Sequence, residues 1–248
     1  MYVPFAEAPF AQDQIFNRPQ ANASTLKTVF QTLQENSCPL HYNFHMHTVY
    51  SDGQLLPSEI MQQAVDIGLQ GLAITDHHTT GGYRAAQRWL QEQRQTQAAK
   101  HHHGDGQSNL PLLWSGIEIN AGLLGTEVHI LGYGFDPDHR ALQPYQQGEA
   151  VTGSAYQADR VVAAIHTAGG LAVLAHPARY RGASVEALIP EAYRLGFDGV
   201  EAYYAYGNPS PWKPTPKPTH QVKQLSRRYG LFNTCGTDTH GTNILQRL

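Results

Sequence analysis

Short apolar runs take turns with amphipathic segments along most of this chain, and that alternation restricts the fold more than any other feature. The stretch ASTLKTVFQTLQEN, residues 23–36, spaces Leu26, Val29, Phe30 and Leu33 by three and four, which predicts a helix with Ser24 or Thr25 as its cap. HYNFHMH follows as the first strand. LLPSEIMQQAVDIG reads as a helix entered at Pro57 and left at Gly68, before the strand LQGLAITDH. YRAAQRWLQEQRQTQAAK is the next helix, then LPLLWSGIEIN and EVHILGYGF as the third and fourth strands. The helices AYQADRVVAAIHTAGG, SVEALIPEAYRLG and THQVKQLSRRYG then alternate with the strands LAVLAHP, FDGVEAYY and LFNTCGTD. Such alternation predicts an α/β fold with parallel pairing through right-handed crossovers. About seven strands, with no glycine-rich phosphate loop after the first, favour a closed or nearly closed barrel over an open doubly wound sheet. The expected organisation is an N-terminal arm and helix over 1–40 and one domain over 41–248.

Several function classes fall away on composition. With 17 basic and 20 acidic residues in 248, the chain has no bulk attraction for duplex nucleic acid or an anionic bilayer. Its two cysteines, Cys38 and Cys235, do not suggest a disulfide scaffold. No basic-then-apolar leader and no long apolar run is present, so the expected setting is cytoplasmic and without a membrane. Fourteen histidines are the unusual number. Three of them, His101 to His103, sit in a polar run that reads as an exposed loop.

The other polar residues of interest recur where each strand stops: His45 and His47, Asp76 and His77, Glu118, His129, His176, Glu201, and Asp238 with His240. In a parallel barrel these ends share one rim, where side chains from distant parts of the chain meet. Many imidazoles and carboxylates at one rim are costly to desolvate unless hydrogen-bonded or bound to cations, and both are proper donors for zinc, manganese or iron. Alternation sends His45 and His47 to the same side of their strand. By contrast His78, His166, His41, His139 and His220 read as structural or surface groups.

The ordered set HMHTVYSDG, AITDHHT, GIEIN, EVHILGY, LAHPARY and CGTDTHG resembles the motifs of the PHP family, named from polymerase and histidinol phosphatase. The resemblance covers residues 41 to 242 and implies a distorted (β/α)7 barrel that binds two or three divalent metals. It implies a first metal on His45, His47, Glu118 and Asp238. Glu118 would bridge to a second that His129 and His176 complete, and a third would take Asp52, His77 and His240. Asp52 stands where some relatives use histidine, which with SDG is similar to the branch acting on nucleotide and oligonucleotide phosphates. Relatives of that branch commonly carry a larger insertion between the strands matched to EVHILGY and LAVLAHP, where this chain has only about residues 134 to 155.

Two cations bridged by one carboxylate lower the pKa of a shared water, and the expected nucleophile is that hydroxide. For the leaving-group proton the candidates are His176 and Asp76, with Asp76 alternatively orienting a neighbouring ligand. Arg179 and Arg84 are the expected phosphate contacts, with Arg181 behind them. The aromatic segment AYYAYGNPSPWKPTPKPTH offers Tyr203, Tyr204 or Trp212 for stacking on a base and Lys213 for phosphate, or else packs on its own rings. The expected function is a metal-dependent phosphoesterase for a small phosphorylated substrate, with nucleotides and short oligonucleotides among the candidates. The competing readings are a phosphatase of a non-nucleotide metabolite such as a histidinol-phosphate-like monoester, and a metal-stabilised scaffold without turnover.

Overall fold

The computed structural model describes residues 21–100 and 109–248, apart from the side chain of Lys100. The expected N-terminal arm and the run His101 to His103 lie outside the described residues. Among the described residues, six α-helices and eight strands follow one another as α1 (Ala23–Thr32), β1 (Tyr42–Asn43), α2 (Pro57–Ile67), β2 (Gly71–Ala73), α3 (Gly81–Lys100), β3 (Leu112–Trp114), β4 (Gly116–Leu123), β5 (Thr126–Tyr133), α4 (Ala158–Thr167), β6 (Leu171–Leu174), α5 (Val185–Arg194), β7 (Gly199–Tyr203), α6 (Pro216–Tyr229) and β8 (Phe232–Cys235).

Local chemistry accounts for the helix ends. Asn22, rather than Ser24 or Thr25, caps α1: its side chain accepts from the Thr25 backbone N–H at 3.0 Å, and Thr25 closes a reciprocal capping box. Pro57 opens α2, and Gly68 ends it at φ +82 in the left-handed region that glycine enters without steric cost.

The strands form a three-stranded sheet, ordered β1-β2-β3, and a five-stranded sheet, ordered β4-β5-β6-β7-β8. Two expectations change here. Pairing is not parallel throughout, because β5 runs antiparallel to both β4 and β6. Only Leu124 and Gly125, both at positive φ, separate β4 from β5, and a two-residue turn permits a hairpin but no crossover. Moreover, LPLLWSGIEIN is two strands, divided at Ser115, whose hydroxyl donates to the Phe135 carbonyl at 2.7 Å. No closed barrel ladder is found among the described residues; the architecture is mixed α/β.

The two sheets are nevertheless stitched along the extended segments beyond β1, β2 and β8. Parallel bridges pair Met46 with Thr239 and His77 with Glu118. Asp238 N–H donates to the His45 carbonyl at 2.8 Å, His47 N–H to Thr239 at 3.0 Å, and Thr75 N–H to Met46 at 2.9 Å. One apolar core beneath β4–β8 takes in Phe30 of α1, Trp114, Ile165 of α4 and Leu188 of α5; a second joins Ile60 and Met61 of α2 to Met46, Ile74 and Ile244. Helix α1 thus packs into the main core.

Stitching demands close backbone approach at Gly236. A Cβ there would collide with His45, including its backbone N at 2.6 Å. Gly236→Ala is expected to cost about 1–3 kcal/mol through overpacking, read as a lower thermal midpoint for the metal-free protein.

Candidate metal centre

The stitched segments carry the polar residues, so their side chains meet at one place. His45 Nε2 and His47 Nε2 each lie 3.0 Å from Glu118 Oε2 and 3.2 Å from Asp238 Oδ1. These four residues are buried, with at most 1% exposure. The other oxygen of Glu118 faces a different pair: Oε1 is 2.8 Å from His129 Nδ1 and 3.5 Å from His176 Nε2. Glu118 therefore presents one oxygen to each of two groups, the disposition a bridging carboxylate needs. On the solvent side, Asp52 lies 3.2 Å from His240 Nε2, 3.5 Å from His47 Nδ1 and 3.9 Å from His77 Nε2.

Three sets have donor atoms mutually within 4.8 Å: His45, His47, Glu118 and Asp238; His77, Glu118 and His129; and His47, Asp52, His77 and His240. The donors fit divalent ions on independent grounds. His47 Nε2 and both ring nitrogens of His176 are buried without a hydrogen-bond partner, although carboxylate oxygens approach the Nε2 atoms. Leaving such atoms unpaired is costly, and a cation removes the cost.

Backbone strain accompanies the cluster. His176 (φ +27), Asp238 (φ +55) and His78 (φ +53) occupy the left-handed region, and all three sit in or beside the donor set.

A ring of outer contacts aims the donors. Glu201, fully buried, accepts from His45 Nδ1–H at 3.0 Å and from the His176 backbone N–H at 2.9 Å, so one side chain orients members of two groups. Asp238 Oδ2 accepts from the Tyr204 hydroxyl at 2.7 Å and Arg247 Nε at 2.8 Å, leaving Oδ1 for the cluster. The Tyr180 hydroxyl accepts the His129 N–H at 2.7 Å. His240 Nδ1–H donates to the Asp238 carbonyl at 2.7 Å, which turns Nε2 toward Asp52.

Sequence reasoning put Glu201 at the rim without a role and missed Arg247. A lone arginine beyond the last motif carries no periodic or spacing signal.

Other expected residues have different surroundings. Asp76 accepts from Thr48 N–H at 2.7 Å, Thr48 Oγ1 at 2.8 Å and Ser51 Oγ at 2.8 Å, which fastens the loop leading to Asp52. Arg84 pairs with Asp138 at 2.7 Å and donates to the Pro137 carbonyl at 3.2 Å, and is not brought to the cluster. Arg179, 44% exposed, reaches Asp238 loosely at 3.4 Å. With Arg181, Thr126, Glu127, Tyr180, His129 and His176 it lines a cleft of about 290 Å³. Tyr203, Tyr204 and Trp212 are buried and present no stacking face; the loop packs on its own rings.

Electrostatics follow from this crowding. Burial pushes His47 down, but Asp238 and Glu118 more than reverse it and carry its pKa up to about 9. His77, held chiefly by burial, falls to about 4. Burial raises Glu118 and Asp238, yet the imidazoles around them hold both well below the usual carboxylate range.

The PHP domain model matches residues 43–237. This chain belongs to the PHP family. Among curated relatives, 5'-3' exoribonuclease Rnm of Salmonella typhimurium is 32% identical over 114 residues, covering 46% of this chain and 34% of that protein. The 5'-3' exoribonuclease of Haemophilus influenzae is 24% identical over 268 residues, covering 80% and 89%. A 3',5'-nucleoside bisphosphate phosphatase of Chromobacterium violaceum is 34% identical over 100 residues, covering 40% and 30%. The matched stretches thus span about a third of the Salmonella and Chromobacterium proteins. A Bifidobacterium adolescentis structure provisionally named a metal-dependent phosphoesterase superposes with a TM-score of 0.63 at 24% identity, covering 82% of this PHP chain and 89% of that one. That likeness concerns the fold.

Two outcomes follow for this PHP chain. With Asp238 and Glu118 carrying the pKa of His47 up to about 9, and Glu118 and Glu201 raising that of His45 as well, binding a divalent ion at neutral pH is expected to expel protons, and metal affinity to rise with pH through this range. Calorimetry in two buffers of different ionisation enthalpy should register proton release. Glu201→Gln keeps one acceptor oxygen where two N–H donors need one each, and should weaken metal binding by about 10- to 100-fold with an unchanged circular dichroism spectrum.

Proposed function

We propose that this chain is a metal-dependent hydrolase of phosphoric esters, acting on nucleotide or short oligonucleotide phosphates. The observation that carries the reading is the convergence of His45 Nε2, His47 Nε2, Glu118 Oε2 and Asp238 Oδ1 at separations of 3.0–3.2 Å, with Glu118 turning its second oxygen to His129 and His176. Family membership and the printed activities of the relatives support it. The bridges between the sheets support reading them as arcs of a distorted barrel of the PHP type.

Two or three divalent ions, with manganese, zinc and iron all compatible with mixed nitrogen and oxygen donors, are the cofactors of this reading. When bound they supply Lewis acidity, lowering the pKa of water and screening charge on phosphoryl oxygens. The protein's own groups do the rest. His45, His47, Glu118 and Asp238 form the inner holder, His129 and His176 extend it toward the cleft, and Asp52, His77 and His240 form the solvent-side holder. His176 stands 3.5 Å from Glu118 Oε1 and in the wall of the cleft, which supports assigning it to the leaving-group side. Asp76 serves by fixing the Thr48–Ser51 turn, because its oxygens are spent on that turn. Arg179, loosely held and lining the same cleft, binds a non-bridging phosphate oxygen with its guanidinium fork. Arg84, engaged by Asp138, has no such part.

The test is a substrate panel on protein stripped by chelation and reloaded with each metal in turn. A 3',5'-bisphosphorylated nucleotide and a 5'-phosphorylated oligonucleotide should release phosphate or nucleotide, and Glu118→Gln should lower turnover about a thousandfold, the several kcal/mol expected when cation stabilisation is lost. Activity indifferent to both chelation and Glu118 overturns the reading; activity confined to non-nucleotide monoesters overturns its substrate part.

A further inference from the structure

Charge is distributed unevenly along this chain. Residues 202–237 contain five Lys or Arg side chains and no Asp or Glu, whereas the rest of the chain holds 12 basic against all 20 acidic residues. Those five are Lys213, Lys217, Lys223, Arg227 and Arg228, and four of them belong to α6.

Helical spacing gathers them on one side. Lys217, His220, Lys223, Gln224 and Arg227 recur at three and four, so they form a stripe that runs about 15 Å from Lys217 to Arg227 at 1.5 Å per residue. A groove of about 470 Å³ is lined by His220, Lys223, Gln224 and Arg227, without a carboxylate. Among the described residues, the ion pairs of basic side chains other than histidine involve Arg84, Arg160, Arg179, Arg194 and Arg247, none of the five. Lys223 lies over the Tyr203 ring at 5.2 Å. On the neighbouring α5, Glu186 meets α6 at Gln221 on the stripe's margin, and Glu191 is taken by Arg194. A solvated basic face usually intersperses acids; this one does not.

Topology connects the stripe to the metal centre. Strands β7 and β8 are parallel, so the helix between them runs the opposite way and begins at the rim where both strands end. Thr215, the α6 cap, donates its N–H to the Tyr204 carbonyl at 3.0 Å, and the Tyr204 hydroxyl donates to the cluster residue Asp238.

We propose that the outer stripe of α6 is a track for the phosphodiester backbone of a single-stranded oligonucleotide whose end occupies the metal centre. The inference rests on the oligonucleotide part of the reading above and adds where the rest of the strand lies. Cations without an open aromatic platform read phosphate and not base, so recognition is independent of sequence and sensitive to salt. The acidic balance of the remaining chain favours this path over others.

The experiment measures binding separately from turnover. Fluorescence anisotropy on the full chain after chelation, with a 5'-phosphorylated single-stranded RNA of about 12 nucleotides, follows affinity against salt. In Lys217→Gln/Arg227→Gln, both exposed, affinity at low salt should fall about tenfold, and the slope of log K against log salt should become shallower by about 1.4, at about 0.7 per lost phosphate contact. Adding Lys223→Gln should bring that change to about 2. Hydrolysis of a 3',5'-bisphosphorylated mononucleotide by the metal-loaded variants should stay within about twofold of the parent, because a substrate that short does not extend along the stripe. Unchanged RNA affinity in both variants overturns the track, as does equal weakening toward RNA and mononucleotide. Binding of anionic phospholipid vesicles in place of RNA overturns it too. If the stripe binds RNA in this manner while the loaded protein hydrolyses no nucleotide, the track stands and the functional reading fails.

Discussion

The structure depends on burying Glu118 and Asp238 among imidazoles. An isolated carboxylate in the interior carries a desolvation cost that no nearby dipole readily offsets, and here two sit within about 1% of full burial. What makes this tolerable is the surrounding positive and donor character: His45, His47, His129 and His176 around the oxygens, then Tyr204 and Arg247 behind Asp238. The same crowding leaves several ring nitrogens without partners, a cost that a bound cation would remove. Glu201 adds a third buried carboxylate, matched by two N–H donors. Polar networks of this kind are stable when every member is satisfied and costly when one is missing, which ties the integrity of the rim to its occupancy.

Geometry at the rim is produced by the backbone. Extended segments beyond β1, β2 and β8 leave their regular ladders and bond across to one another and to β4, and in doing so align His45, His47, Asp76, His77, Glu118 and Asp238. Gly236 permits the approach to His45, and positive φ at His176 and Asp238 turns those side chains inward. Asp76 then acts on Asp52 at one remove, by holding Thr48 and Ser51. Placement of the donor atoms is therefore shared between irregular backbone at His45, His47, His77 and Asp238 and the regular strands that carry Glu118 and His129.

Charge is organised on a longer scale by the same topology. Because α6 lies between parallel β7 and β8, its basic stripe begins where the rim begins. The outer stripe thereby starts at the end of the fold that carries the local cluster and leads away from it, the two being linked through Thr215 and Tyr204.

The sequence by itself determined the order of helices and strands, the helix stops at Gly68 and Gly230, and the histidines and carboxylates just past β1, β2, β6 and β8; Glu118, His129 and Glu201, expected where strands stop, lie inside β4, β5 and β7. Those follow from periodicity and from backbone freedom, which are local. Several features were decided only by tertiary structure. The β4–β5 hairpin hides behind the uninformative turn Leu124–Gly125, and Asn22 rather than Ser24 caps α1, its side chain accepting from the Thr25 N–H. Arg247 meets Asp238, and Asp138 claims Arg84, through contacts between residues distant in sequence or unmarked by any motif. Spacing along a chain records which face a side chain takes. It does not record which partner arrives there, because that is fixed by how separate segments pack and by which charges must be neutralised once water has left.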